Sequence, residues 1–125
     1  MCVVKITKTL FGYIKLEVDA DNALKLLKYL RDVSGKNTND VVDALRIIEN
    51  FDVFYEMMKK KFKDYIAPRK SENDLIRGKV IIDKIKLTKN NVKKVTIIFD
   101  KRVNEELVTK ALESLNIEYE LVSEI

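Results

Sequence analysis

Histidine is absent from this sequence, and cysteine, proline and glycine are scarce: the 125 residues include one cysteine, one proline and three glycines. Without histidine the chain cannot build a Ser–His–Asp or Cys–His nucleophile or an imidazole-ligated metal site. Gly12, Gly35 and Gly78 lie too far apart for a glycine-rich loop that cradles phosphates. We therefore expect a protein that is not an enzyme and that holds no cofactor and no metal.

Disulfides and long apolar runs are missing as well. Cys2 has no second cysteine with which to pair, and no apolar run reaches ten residues. These absences predict a cytoplasmic protein with no membrane partner and no signal peptide. Lysine, glutamate and isoleucine are abundant, a composition typical of archaeal or other thermophilic sources.

Length and composition predict a single domain covering residues 1–125. Hydrophobic residues make up 46% of the chain and charged residues 35%, which is enough apolar sequence for one core at this length. The fold class predicted from the pattern of elements is α/β (α+β). We expect an N-terminal β-hairpin and a C-terminal βαβ unit that together form a mixed sheet, with a helical segment between them.

The first half of the chain changes from a period of two residues to a period of 3.6. Alternation over 2–18 predicts the hairpin, and the apolar spacing from Asp21 predicts a helix that ends near Ser34 and Gly35. A second helix follows, capped by Thr38 or preceded by a short strand at Val41. It could run as far as Tyr65 or break near Asn50.

The second half is ambiguous in one segment. A capping box at 71–74 favours a helix through residues 79–87, although the same residues also fit a β-branched strand. The remainder predicts a strand at 95–99, a helix at 105–115 and a last strand at 117–122. Such a strand–helix–strand unit is expected to form a right-handed parallel crossover.

Positive charge is concentrated in the middle of the chain. Residues 59–100 carry 13 basic and 5 acidic side chains, within a net charge of +4 for the whole chain. A dense basic cluster with interleaved rings could neutralise phosphates and stack bases, although lysines on a helix surface are also commonly only solvated. The predicted nucleic-acid-binding residues are Lys59, Lys60, Lys61, Lys63, Arg69 and Lys70, with the rings of Phe62 and Tyr65.

The sequence resembles two protein families. The segment 35–45, preceded by a helix and by the strand 13–18, resembles a ribbon-helix-helix DNA-binding unit. That resemblance implies that Tyr13, Lys15 and Glu17 would enter the major groove.

A second resemblance covers nearly the whole chain. It is carried by the order of elements: the hairpin, a helix, a short strand with V-V-D-A at 41–44 leading into a long helix, a capped helix with the apolar spacing Ile81-Ile82-Ile85-Leu87, and the terminal strand–helix–strand. In this order the chain resembles the small subunit of the KEOPS complex, the family of the PRPK-binding proteins. No residue role is transferred, because the resemblance lies in the element order.

The KEOPS resemblance implies a non-catalytic accessory subunit that contacts tRNA and docks on a kinase-like protein subunit during threonylcarbamoyladenosine synthesis. An aromatic ring such as Tyr65 or Phe62 could then stack on an unpaired base. The expected partner-binding face consists of Leu45, Ile48 and Met57. The alternatives are the DNA-binding regulator and a thermophile or viral interaction or inhibitor protein that binds no nucleic acid.

Overall fold

The computed structural model describes residues 4–9, 11–33, 39–61, 63–69 and 81–123. These ranges form a mixed α+β fold with four helices and one five-stranded sheet. The elements in chain order are β1 (Val4–Lys8), β2 (Ile14–Asp19), α1 (Ala20–Val33), α2 (Asn39–Glu49), α3 (Phe51–Lys60), β3 (Ile82–Lys89), β4 (Lys93–Phe99), α4 (Glu105–Ser114) and β5 (Tyr119–Ser123).

The predicted N-terminal hairpin is confirmed. Strands β1 and β2 pair antiparallel, with Ile6 opposite Leu16. Gly12 in the connecting turn has a φ of +88°, a left-handed conformation that glycine adopts without steric cost. Helix α1 follows β2 directly, and the carboxylate of Asp19 accepts hydrogen bonds from the backbone and side chain of Asn22 in its first turn.

The second helical segment starts at Asn39, so no strand forms at Val41. It breaks at Asn50, whose side-chain amide donates a hydrogen bond of 2.9 Å to the carbonyl oxygen of Arg46. Helix α3 then ends at Lys60, and the predicted extension to Tyr65 is wrong. The predicted cap at Thr38 and the predicted end of α1 at 34–35 lie outside the described residues.

The helix predicted through residues 79–87 is also wrong from residue 82 onward. This segment is β3, which pairs antiparallel with β4 so that Ile85 lies opposite Ile97 and Leu87 opposite Val95. Both pairs are fully buried or nearly so. Cross-strand packing of β-branched and apolar side chains therefore outweighs the local helical spacing. The capping box at 71–74 lies outside the described residues.

The C-terminal strand–helix–strand is present, but its strands are not neighbours. Helix α4 is capped by Asn104, whose side chain accepts a hydrogen bond from the backbone N–H of Glu106. Strand β5 pairs in parallel with β1, and the strand order is β3-β4-β2-β1-β5. Strands β4 and β5 thus run in the same direction with β2 and β1 between them.

The sheet has two different faces. All four helices contribute to one apolar core with the strand residues that point to the same side, such as Ile6, Leu16 and Ile97. We call the side of the sheet that packs against the helices the closed face, and the opposite side the open face. No helix in the described ranges has the length and apolar run needed to cross a membrane.

Two acidic residues of α2 fasten the chain around β3. The carboxylate of Asp40, which is 2% exposed, accepts hydrogen bonds from the backbone N–H groups of Ile81 and Ile82 at the start of the strand. Residues 63–69 pass along the outer edge of β3, where Ile66 and Ile85 exchange two backbone hydrogen bonds of 2.8 Å. Asp43 then accepts from the backbone N–H of Arg69.

Candidate functional site

The described lysines of the predicted basic cluster are exposed. Lys59 and Lys60 end α3, and Lys61 and Lys63 follow it; all four side chains are exposed. Phe62 and Lys70 lie outside the described residues, while the side chain of Arg69 is exposed.

The lysines at the end of α3 are largely available to a ligand. The ammonium group of Lys59 lies 5.5 Å from the ring centroid of Tyr55, which is a cation–π distance. Lys60, Lys61 and Lys63 make no ion pair with a residue in the described ranges. Their charges are therefore not neutralised by neighbouring acids in this part of the chain.

Tyr65 lies on the open face of the sheet. Its neighbour Ile66 bridges to the closed-face residue Ile85, so the side chain before it points to the other side. The ammonium groups of Lys84 and Lys86 on β3 lie 4.7 and 5.9 Å from the centre of the Tyr65 ring. The ring is thus grouped with strand lysines that the sequence prediction did not include.

The predicted partner face requires correction. Leu45 and Ile48 are only 4% and 3% exposed and belong to the hydrophobic core, because α2 packs this stripe inward. Met57 on α3 is partly buried. Leu45 and Ile48 therefore stabilise the fold and do not present an apolar surface to a partner.

The strand registers place the open-face side chains in rows across the sheet. One row contains Lys84, Ile98, Lys15 and Thr7. The next row contains Lys86, Thr96, Glu17 and Lys5. A third contains Thr88, Lys94 and Asp19. Five lysines from four strands therefore lie on the open face, together with the acidic Glu17 and Asp19 and the apolar Ile98.

These rows form a shallow groove of about 320 Å³. We call it the lysine groove; its charged and aromatic lining residues are Lys5, Lys15, Lys86, Lys94, Glu17, Asp19 and Tyr65. Threonine hydroxyls of the second and third rows also line it. The groove combines cations, hydroxyl groups and one ring on the open face, where none of the four helices in the described ranges packs.

The two acids of the groove are already engaged. Glu17 forms an ion pair with Lys15 at 3.5 Å, and Asp19 accepts the hydrogen bonds from Asn22 that begin α1. Lys5, Lys86 and Lys94 make no ion pair with a described residue. The cations that remain give the groove a positive balance suited to an anionic ligand.

Not every lysine near the sheet is available in this way. Lys89 and Lys93, at the turn between β3 and β4, contact the carboxylate of Asp52 at 3.5 and 3.2 Å. The hydrogen bond from Lys93 lowers the pKa of Asp52 below its usual value, and Lys89 adds to the effect while partial desolvation opposes it. This cluster joins α3 to the turn between β3 and β4, and none of its three residues lines the lysine groove.

A second depression adjoins the groove at the hairpin end of the open face. It has a volume of about 430 Å³, and Tyr65 and Lys15 line both depressions. We call it the aromatic pocket; its lining residues are Thr9, Phe11, Tyr13, Lys15, Tyr65, Asp83, Lys84 and Ile98. Ile98 is only 7% exposed although it lies outside the core cluster.

The ribbon-helix-helix mode of DNA binding is not available to this fold. Strand β2 is hydrogen-bonded to β1 on one edge and to β4 on the other, so neither edge can form a ribbon with a second copy. Tyr13 and Lys15 do face a common surface, the aromatic pocket. Glu17 lies in the lysine groove.

The sequence did contain a signal for the missed lysines. Lys84, Lys86 and Thr88 alternate with Ile85 and Leu87, a pattern typical of a strand with one face in water.

Within the described ranges, no group of three or more cysteine, aspartate and glutamate side chains is placed to hold a metal ion. No protein-family model, no curated protein and no solved structure matches this chain.

Proposed function

We propose that this protein is a non-catalytic RNA-binding protein and that the lysine groove holds the RNA backbone. The single observation that supports this most is the convergence of Lys5, Lys86 and Lys94 from three strands on the open face beside the ring of Tyr65. Ammonium groups bind phosphates and release counterions, which supplies affinity that depends on salt rather than on sequence.

The geometry of the open face favours binding of a single-stranded nucleic acid across the sheet over binding of a duplex. A DNA major groove is typically read by a protruding helix or ribbon, and the described residues place neither on the open face. A sheet face with cations and an aromatic ring is suited to unpaired nucleotides, whose backbone and bases are both accessible. The exposed lysines at the end of α3 are a second set of candidate phosphate contacts in this proposal, since the chain passes from Lys63 to Tyr65 beside β3.

The more specific form of this proposal is an accessory subunit of an RNA-modifying assembly of the KEOPS type, with tRNA and a kinase-like subunit as partners. It needs a protein-docking surface other than the buried Leu45 and Ile48. Leu121 on β5 is 62% exposed and Val122 is also exposed, next to the outer edge of the sheet. Co-elution with a KEOPS kinase-like subunit on size exclusion, lost on Leu121→Glu, would support this form; separate elution would contradict it.

The RNA proposal is tested by charge reversal with a matched control. The test variant is Lys86→Glu/Lys94→Glu in the lysine groove. The control is Lys25→Glu/Lys28→Glu, which makes the same charge change at two exposed positions of α1 on the closed side. Fluorescence anisotropy is measured with a labelled single-stranded RNA and with bulk tRNA at two salt concentrations.

The groove variant is expected to lose at least about tenfold in affinity, and its slope of log affinity against log salt is expected to flatten by roughly 1.4, about 0.7 for each lost phosphate contact. The control is expected to keep most of the affinity. Equal losses in both variants would mean that only net charge matters. Absence of RNA binding in the wild-type protein would refute the proposed function.

A further inference from the structure

The aromatic pocket differs from the lysine groove in chemistry. Its floor is Ile98, which the strand registers place between Lys84 and Lys15 on the open face. That isoleucine is nonetheless only 7% exposed, so the surrounding side chains shield it from water. Phe11, Tyr13 and Tyr65 line the same pocket, and Phe11 itself is 78% exposed.

An apolar floor with aromatic walls and a cationic rim fits one kind of ligand group. A flat aromatic ring gains stacking and apolar contact in such a pocket. Lys84 and Lys15, the latter also paired with Glu17, outnumber the single acid Asp83 among the lining residues, and this balance favours a ligand that carries negative charge close to that ring. A nucleotide has this combination, since its base is planar and its phosphate is anionic.

The pocket is also continuous with the groove. Tyr65 and Lys15 line both depressions, so a ligand that lies along the lysine groove reaches the aromatic pocket without leaving the open face. The ammonium group of Lys84 lies 4.7 Å from the centre of the Tyr65 ring, so a cation lies beside the ring that the two depressions share. A backbone held in one depression can therefore place a base in the other.

We propose that the aromatic pocket binds the unpaired base of an RNA strand whose phosphates lie in the lysine groove, with Tyr65 as the stacking platform. This inference rests on the proposed RNA-binding function and adds a preference for unpaired nucleotides. A base inside a duplex is stacked on its neighbours and hydrogen-bonded, so it cannot enter the pocket without being extruded.

The experiment compares three anionic probes of matched length: a single-stranded RNA with 2-aminopurine at its centre, the same RNA annealed to its complement, and inorganic polyphosphate. Affinities are measured for the wild-type protein and for Tyr65→Leu, Tyr65→Phe and Phe11→Ser. Tyr65→Phe keeps the ring, and Phe11→Ser changes an exposed turn residue outside the core, so neither depends on repacking the fold.

The wild-type protein is expected to bind the single strand at least about tenfold more tightly than the other two probes, and to change the 2-aminopurine fluorescence on binding. Tyr65→Leu should abolish that preference and the fluorescence change while leaving the salt slope intact. Tyr65→Phe should retain both. Phe11→Ser should weaken single-strand binding selectively.

Equal affinity of the wild-type protein for all three probes would overturn the base pocket and leave the lysine groove as a general anion-binding surface. Full retention of the single-strand preference by both Tyr65→Leu and Phe11→Ser would also overturn it. If the wild-type protein binds none of the probes, both this inference and the proposed function are wrong. A mononucleotide that displaces the RNA at equal base concentration would show that the ligand is a free nucleotide. That result would overturn the proposal that the pocket binds a base of an RNA strand.

Discussion

The carboxylate of Asp40 accepts a hydrogen bond of 2.7 Å from the backbone N–H of Ile82, which lies 42 residues later in the chain. The N–H of Ile81 donates to the same oxygen. Asp40 begins helix α2 and Ile82 begins strand β3, so one buried side chain joins the helical layer to the strand that carries Lys84 and Lys86. The open face therefore depends on a contact made on the closed side.

Asp40→Ala is expected to lower the free energy of unfolding by about 2–4 kcal/mol, because it leaves two backbone N–H groups without an acceptor in a poorly hydrated place. Asp40→Asn keeps one acceptor oxygen and should cost less. Urea unfolding followed by circular dichroism measures both. Asp64→Ala, at an exposed carboxylate, is the control; a loss in Asp40→Ala no larger than the control would contradict the prediction.

Charge reversal at the end of α3 is expected to weaken RNA binding less than reversal in the lysine groove. The triple variant Lys60→Glu/Lys61→Glu/Lys63→Glu changes three exposed cations at and after the end of α3, whereas Lys86 and Lys94 line one groove with the ring of Tyr65. Anisotropy titrations at a single salt concentration rank the variants. The opposite ranking would place the RNA on α3, as the sequence alone predicts.

Asp52 is expected to make stability depend weakly on pH. Its hydrogen bond from Lys93, with Lys89 nearby, holds the pKa of the carboxylate below the ordinary value of 3.8. A lowered pKa in the folded protein adds stability above that value, and the added stability is lost as the pH falls through the folded pKa. The urea midpoint of the wild type should exceed that of Asp52→Asn near pH 6.

This difference in urea midpoint should shrink towards pH 3, because protonation of Asp52 removes the ion pair. It should also shrink in about 1 M salt, because the ion pair is exposed and salt screens it. A difference that is constant over the whole pH range would show that packing, and not the ion pair, distinguishes Asp52→Asn from the wild type.

Tyr119 is expected to titrate later than an ordinary tyrosine. Its hydroxyl donates a hydrogen bond of 2.8 Å to the carboxylate of Glu113, and this bond raises the pKa of the phenol above 10.0. Desolvation and the negative charges of Glu113 and Glu105 act in the same direction. The resulting stability is complete at neutral pH and is lost as the pH rises through the folded pKa.

Tyrosinate absorbance during an alkaline titration measures this effect among the five tyrosines. Glu113→Gln removes a charge and keeps an acceptor, so it should move one ionisation to lower pH. Superimposable titration curves for the two proteins would show that the hydrogen bond does not form in solution.

Several features could be predicted from the sequence because the physical signal is local. The hairpin follows from alternation around Gly12, and α1 and α4 follow from amphipathic spacing along each helix. The lack of histidine alone removes whole classes of catalytic site. These conclusions require only residues that lie within one or two turns of each other.

The identity of β3 and the composition of the site required the tertiary structure. Ile82, Ile85 and Leu87 fit both a helix and a strand, and hydrogen bonding to β4 selects the strand because it pairs Ile85 with Ile97 in the core. That choice turns Lys84 and Lys86 to the open face beside Tyr65. A prediction that treated the basic run near α3 by itself could not include them.

The amino-acid order by itself thus determined the charge, the chemistry that is excluded and the segments with strong periodicity. Only the folded sheet decided which lysines share a face, since Lys5 and Lys15 come from one pair of consecutive strands and Lys86 and Lys94 from another pair that is distant in sequence. The physical reason is that a side chain's direction in a strand is set by the register with its neighbours, and register is a property of strand pairs.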